Sequence, residues 1–209
     1  MTLIEVYADV WCPFAHVGLH TVVDRRRQLE RKDILLRIRA WPLELINGAP
    51  LDPATTKEHV DELRTQVAPD LFADFDLDHF PNTSLPALTL AAAAYRECDH
   101  AGEAVSLALR DALFEKGQDI SNPGVLALIA EEYEVVSGLE DIEAVVAEWH
   151  QGQSRGVRGS PHFICGNAEA FCPSLDISKD RDGHLQVRRN TQALDEFLQV
   201  CFPLVKRRP

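Results

Sequence analysis

The sequence predicts an α/β fold in which two sheet-forming ends flank a long helical stretch. Three observations carry this. Leu3 to Ala8 and Ile34 to Trp41 read as strands on either side of one helix. From Pro42 to about Gln151 the strong apolar patterns have helical spacing. Beyond that stretch the chain returns to extended segments punctuated by turns.

The first strand is short and apolar: Leu3, Ile4, Val6 and Tyr7 with one charge. Pro13 suits the first position of a helix, because the N–H it lacks would be unpaired there anyway. That helix is expected to run to about Glu30. Phe14, Gly18, Val22 and Leu29 share one face, and Arg25 to Arg27 cover another. Ile34, Leu36 and Ile38 alternate with Arg37 and Arg39, the period of a strand. A strand–helix–strand unit this short implies a parallel pair with a right-handed crossover.

Helices follow over Thr55 to Val67, Leu85 to Cys98, Ala101 to Lys116, from Asn122-Pro123 onward, and over Leu139 to His150. The loop between the first two holds Phe72, Phe75 and Phe80. Ser160 to Cys165 is extended, Gly166-Asn167 is a turn, and Glu169 to Cys172 can return as a hairpin partner. Asp176 to Gly183 reads as polar loop. Thr191 to Cys201 closes the chain as a helix, with Leu194, Phe197, Leu198 and Cys201 on one face. The expected division is 1–43 with 152–209 as one domain and 44–151 as an inserted all-helical domain.

Composition narrows the function. The formal charge is -12, which argues against a nucleic-acid or anionic-membrane surface. No apolar run approaches the length of a membrane span. The N-terminal stretch lacks a basic region followed by a long apolar one, so no secretory signal is read. Five cysteines, at 12, 98, 165, 172 and 201, make an odd and unpaired set. A reduced, cytoplasmic protein is the expectation. Arginine outnumbers lysine, a faint hint of a GC-rich bacterial genome. Phosphate-binding glycine loops, H-E-x-x-H and C-x-x-C are absent from the sequence.

Four stretches stand out: DVWCPFAHVG around Cys12, PNT at Pro81 to Thr83, GQDISNPGVL at Gly117 to Leu126, and GVRGSPHF at Gly156 to Phe163. With the order of elements they resemble the DsbA-like branch of the thioredoxin superfamily, the FrnE-like proteins most closely. The resemblance covers nearly the whole chain and implies a thioredoxin fold with an inserted helical domain. The same branch holds kappa-class glutathione transferases and 2-hydroxychromene-2-carboxylate isomerases. FrnE-like proteins typically carry Cys-Pro-Trp-Cys. Here Phe14 stands for the tryptophan and Ala15 for the second cysteine. The transferase and isomerase relatives typically keep a serine where Cys12 stands.

A thiol at a helix N-terminus faces free N–H groups and the positive end of the helix dipole, so Cys12 is expected to be a low-pKa nucleophile. Without a thiol at Ala15, a mixed disulfide on Cys12 must wait for an outside thiol such as glutathione or mycothiol. The expected chemistry is therefore monothiol. One rival is a thiol-dependent transferase or isomerase acting on an aromatic or electrophilic small molecule. Another is a degenerate site that binds without reacting. His16, one helical turn after Cys12, is a candidate to hold the thiolate, or is a histidine with no role. His20 extends the same stripe. A Cys12/His16/His20 metal site is conceivable, but no acidic ligand accompanies it in the sequence, and no metal is expected.

By resemblance, Ser160-Pro161 is the cis bond that such folds place beside the cysteine, with Ser160 offering its N–H and C=O to an extended thiol substrate. Arg155 and Arg158 are candidates to hold its carboxylate. Pro13 starts the Cys12 helix, Trp11 and Phe14 can wall the site, and Asn82 lies in the PNT stretch. Trp11 reads equally well as core. Cys165 and Cys172 could face each other across a hairpin, and Cys98 and Cys201 read as buried helix-face residues. Partners follow from this: a small thiol or disulfide, no nucleic acid, no membrane, and, by resemblance only, a second copy of the chain in a homodimer.

Overall fold

A computed structural model describes residues 2–138 and 140–202. Its order is β1 (Thr2–Ala8), α1 (Pro13–Gln28), β2 (Ile34–Ala40), α2 (Leu43–Asn47), α3 (Pro53–Gln66), α4 (Leu85–Glu97), α5 (Asp99–Phe114), α6 (Pro123–Glu132), α7 (Ile142–Ser154), β3 (His162–Cys165), β4 (Ala168–Phe171), β5 (Leu175–Lys179), β6 (Leu185–Arg189) and α8 (Thr191–Cys201). A 3-10 turn spans Leu77–His79. Leu139, where the sequence opens a helix, lies outside the described residues; α7 starts at Ile142, behind an Asp141 cap.

Four strands make the central sheet in the order β2-β1-β3-β4. β1 and β2 are parallel, joined through α1. β3 is antiparallel to β1 and β4 to β3. α1 and α8 supply the apolar layer against the sheet: Leu19, Val22 and Val23 from one, Leu194, Phe197 and Leu198 from the other. Burying each such side chain contributes about 1.5–3 kcal/mol. A separate cluster runs through the helices, with Val60, Leu63, Phe72, Leu109, Leu113 and Phe114 at its centre.

The helices after β2 do more than cover the sheet. β2 is an edge strand, so alternate backbone N–H groups have no strand to bond. Three side chains from the helices take them. Leu36 N–H donates to Glu103 Oε2 at 2.6 Å, Ile38 N–H to Tyr95 Oη at 2.7 Å, and Ala40 N–H to Glu148 Oε2 at 2.7 Å. Tyr95 returns its own hydrogen to Leu36 O at 3.0 Å. The edge is thus closed by α4, α5 and α7, which satisfies groups that cannot be left bare when buried.

Three sequence expectations need correcting here. α1 stops at Gln28, and Leu29, expected on its buried face, is the cap residue and exposed. The polar segment after Asp176 is not a loop: β5 and β6 pair as an antiparallel ribbon turning at Asp180 to Gly183. Only Leu175 and Val187 are buried in these two strands, so the apolar signal is thin. Cys98 is exposed and caps α5, its sulfur accepting the Ala101 N–H at 3.4 Å.

Candidate functional site

β1 delivers the chain into a tight turn, and Pro13 begins α1 directly behind it, so Cys12 is the helix N-cap. Cys12 Sγ donates a hydrogen bond to Ser160 O at 3.3 Å. The Ser160–Pro161 peptide is cis. Ser160 Oγ accepts the Asp9 N–H at 2.9 Å, so one residue pins both ends of the turn that carries Cys12. Gly18, one turn and a half further along α1, faces Pro161 and Ser174: a Cβ there would meet the proline ring at 3.4 Å.

The thiol is only 4 % exposed. Burial raises its pKa, and the hydrogen bonds from Ser160 and from the Ala15 and Phe14 N–H groups do not outweigh that, with the Asp9 charge pushing the same way as burial. Desolvation thus works against the expected low-pKa thiolate, and outweighs the helix N-terminus that favours the anion. Asp9 itself is fully buried, and burial lifts its carboxyl to about 6 against bonds from Leu43 and Ser84 and the nearby Arg110 charge. Its Oδ2 accepts the Leu43 N–H at 2.5 Å, while Oδ1 has no partner. Arg110 lies buried beside it, Nη2 donating to Asp9 O at 3.3 Å and Nη1 to Ser106 O at 2.7 Å. Burial brings that guanidinium down to about 10. Asp9 and Arg110 were not singled out from the sequence. The signal for Asp9 was its place three residues before Cys12.

His16 is fully buried and does not hold Cys12. Its Nε2 lies 2.6 Å from Glu115 Oε1, and its ring packs against Phe72 and Phe114. Burial lowers its pKa, more than the Glu115 bond raises it. Burial alone would raise Glu115, but bonds from His16 and from the Phe72 and Ala73 N–H groups bring it down to about 2. A four-residue helical spacing put His16 and Cys12 on one stripe; the ring turns to α5 because a carboxylate stands there.

Trp11 is fully buried and stacks on Phe80, with centroids 5.8 Å apart and planes 6° from parallel. That stack brings the loop carrying Asn82 alongside the Cys12 turn; Asn82 itself is exposed. Pro13 is buried and Phe14 half-buried, its ring 5.2 Å from His59. Arg158 is exposed over the Phe171 ring. Arg155 is committed elsewhere: Nη1 bonds Glu5, and the guanidinium lies over Tyr7, so it is no free carboxylate clamp.

The cysteines sort differently from expectation. In the β3–β4 register Cys165 faces Ala168, and His162 faces Phe171. Cys172 therefore sits at the far end of the hairpin, its N–H donating to Pro161 O at 2.9 Å. It is separated from Cys165 by about 13 Å of strand. Cys165 neighbours Cys201 instead. Cys172, pushed up to about 12 by burial and next by the Cys12 charge, belongs to the Cys12 side.

A sheet of this order, with an N-cap cysteine beside a cis-proline, is the arrangement of a thioredoxin-type fold. The DSBA-like thioredoxin domain model matches residues 3–181, and the chain belongs to that family. Among solved structures it is similar to a 2-hydroxychromene-2-carboxylate isomerase, with 16% identity, a TM-score of 0.57, and coverage of 81% of this chain and 88% of that one. It is also similar to the cytosolic disulfide reductase DsbM from Pseudomonas aeruginosa, with 18% identity, a TM-score of 0.56, and coverage of 96% and 93%. DsbM has also been solved with GSH, and that structure matches with a TM-score of 0.53 at 16% identity. Identities this low speak for the fold. None of the curated proteins matches the chain. No helix among the described residues is long and apolar enough to cross a membrane.

Proposed function

We propose that the protein is a monothiol oxidoreductase that exchanges disulfides at Cys12 with a small thiol of the glutathione or mycothiol type. The observation that carries this is the Cys12 thiol held at the α1 N-cap on the Ser160 carbonyl, with Ala15 where a second thiol would stand. Asp9, whose charge acts on Cys12, is the base we assign to the thiol. The Cys12 thiolate attacks one sulfur of R–S–S–R′; R′S⁻ leaves and takes up a proton. Cys12 is left in a mixed disulfide with R. A small thiolate R″S⁻ then attacks that bond, forming R–S–S–R″ and returning Cys12 as thiolate. The small thiol is consumed in each turnover, since the chain provides nothing at Ala15 to replace it.

Turnover of a mixed disulfide between glutathione and a small alkyl thiol tests this, with Cys12→Ser as the comparison. Loss of activity to the uncatalysed rate is expected. Full activity in Cys12→Ser rules the reading out.

One observation favours a second reading. A protonated, buried Cys12 can donate a hydrogen bond to the sulfur of a bound thiolate, as the serine of the transferase and isomerase relatives would by resemblance. That reading expects tight glutathione binding, thiolate absorbance from the bound ligand, and no disulfide exchange.

A further inference from the structure

α1 and α5 run antiparallel with two rungs between them. His16 Nε2 lies 2.6 Å from Glu115 Oε1, and one turn along, His20 Nε2 lies 2.9 Å from Asp111 Oδ1. The two imidazoles meet edge to face at 4.4 Å between centroids. One ligand atom each from His16, His20 and Asp111 falls within 4.8 Å of the other two. Two imidazole nitrogens and one carboxylate oxygen gathered on one side are a donor set suited to first-row divalent ions. Cys12 is not part of this group. The acidic ligand that the sequence around α1 did not show comes from α5, more than ninety residues away, as the 91-residue separation of the His20–Asp111 bond records.

A second observation points the same way. With Nε2 of His16 held by Glu115, only its other ring nitrogen is left for a further bond. That atom, Nδ1, is buried and has no partner. A carboxylate holding one nitrogen of a histidine whose other nitrogen is free is the usual support of a metal-bound imidazole. Glu115 is well suited to it, since the Phe72 and Ala73 N–H groups fix its own position at 2.8 and 3.1 Å. His20 and Asp111 are half-exposed and line a cavity of about 450 Å³ between α1, α5 and α6, with Glu132 and Tyr133 on its α6 side. Solvent or a small ligand has room there to complete a coordination shell that three protein donors leave open.

We propose that His16, His20 and Asp111 bind one divalent transition ion, with Glu115 orienting His16. The ion would clamp α1, whose N-cap is Cys12, to α5.

Co²⁺ and Zn²⁺ added separately to the full, reduced chain test this. One equivalent is expected to bind and to raise Tm by about 5 °C or more at a hundredfold excess over Kd. Co²⁺ should give the weak visible bands of nitrogen and oxygen ligation, without the intense sulfur-to-metal band of a bound thiolate. His20→Ala and Asp111→Asn, both at half-exposed positions, should each weaken binding at least tenfold. Cys12→Ser should leave it unchanged, which separates this proposal from the thiol chemistry. Absence of a Tm shift, a sulfur-to-metal band, or unchanged affinity in both variants overturns the site and leaves two plain histidine–carboxylate hydrogen bonds.

Discussion

Tyr95→Phe removes one oxygen and should cost several kcal/mol. Tyr95 lies in α4, 7 % exposed, and its hydroxyl stands against the outer edge of β2. It accepts from Ile38 N–H at 2.7 Å and donates to Leu36 O at 3.0 Å. Phenylalanine keeps the ring and its packing but leaves a buried donor without a partner and strips one donor from a buried acceptor. An unsatisfied buried group costs about 1–3 kcal/mol, and a carbonyl deprived of one donor falls at the low end. The sum is about 2–4 kcal/mol. For a chain this long each kcal/mol moves Tm by about 2–4 °C, so a fall of about 4–16 °C is expected. Urea unfolding of the two proteins at neutral pH measures it, with the slope unchanged if only the native state is affected. The Ile38 amide should also lose much of its hydrogen-exchange protection. A change under about 0.5 kcal/mol with that amide still protected would refute the argument that α4 closes the edge of the sheet.

The remaining predictions concern the site and its support. Alkylation of Cys12 followed against pH should show a midpoint above that of a free thiol, about 8.5; a midpoint well below it would mean that burial does not control this thiol. Glu115, lowered to about 2 from 4.5 and about one-fifth exposed, contributes stability that is fully present above pH 4.5 and is lost as pH falls towards 2. Discounted for its partial exposure to solvent, Glu115→Gln should cost about 2 kcal/mol at pH 7 and flatten the acid limb; an unaltered limb counts against it. Ala15→Cys places a second thiol at a buried position one turn along α1, and the pre-reduced variant is expected to reduce one equivalent of disulfide without added small thiol, ending as an intramolecular disulfide, where the parent chain stops at the mixed disulfide. Peptide mapping after mild oxidation should yield no Cys165–Cys172 cross-link, because the hairpin register holds the two at opposite ends.

The legible parts of this chain are those where the information is local. Pro13 behind Cys12 sets a helix start whatever surrounds it, and the alternation from Ile34 to Ile38 sets a strand. Asn122-Pro123 opens a helix because the Asn122 side-chain oxygen reaches the Gly124 N–H two residues on. What stayed hidden needs two distant segments at once. Nothing near Tyr95, Glu103 or Glu148 says that they stand in for a missing strand beside β2. The β5–β6 ribbon is mostly exposed, so its alternation carries few apolar letters. Spacing put Cys165 near Cys172, but a hairpin pairs residues by a constant sum of numbers, and 165 with 168 sets 172 against 161.

The direction of the Cys12 shift has the same origin. A helix N-terminus is visible in the sequence, and it stabilises a thiolate by a modest, local amount. The burial that opposes it is built by distant segments: Ser160 from the approach to β3, and the sheet cluster in which Cys12 sits, Val6 and Phe163 among its members. A dipole of that size cannot offset near-complete loss of water around sulfur. Reactivity at Cys12 therefore depends on what a ligand does on arrival. A disulfide seated against Ser160 would take the place of the Sγ–carbonyl hydrogen bond, freeing the thiol proton for the Asp9 carboxylate. Asp9→Asn separates the two influences of that carboxylate. It removes a negative charge that raises the Cys12 pKa, so the alkylation midpoint should fall. It also removes the proposed proton acceptor, so disulfide exchange at neutral pH should slow, by about tenfold or more for a lost general base. A lower midpoint together with faster exchange would show that thiolate population alone limits the reaction, and would take Asp9 out of the proton transfer.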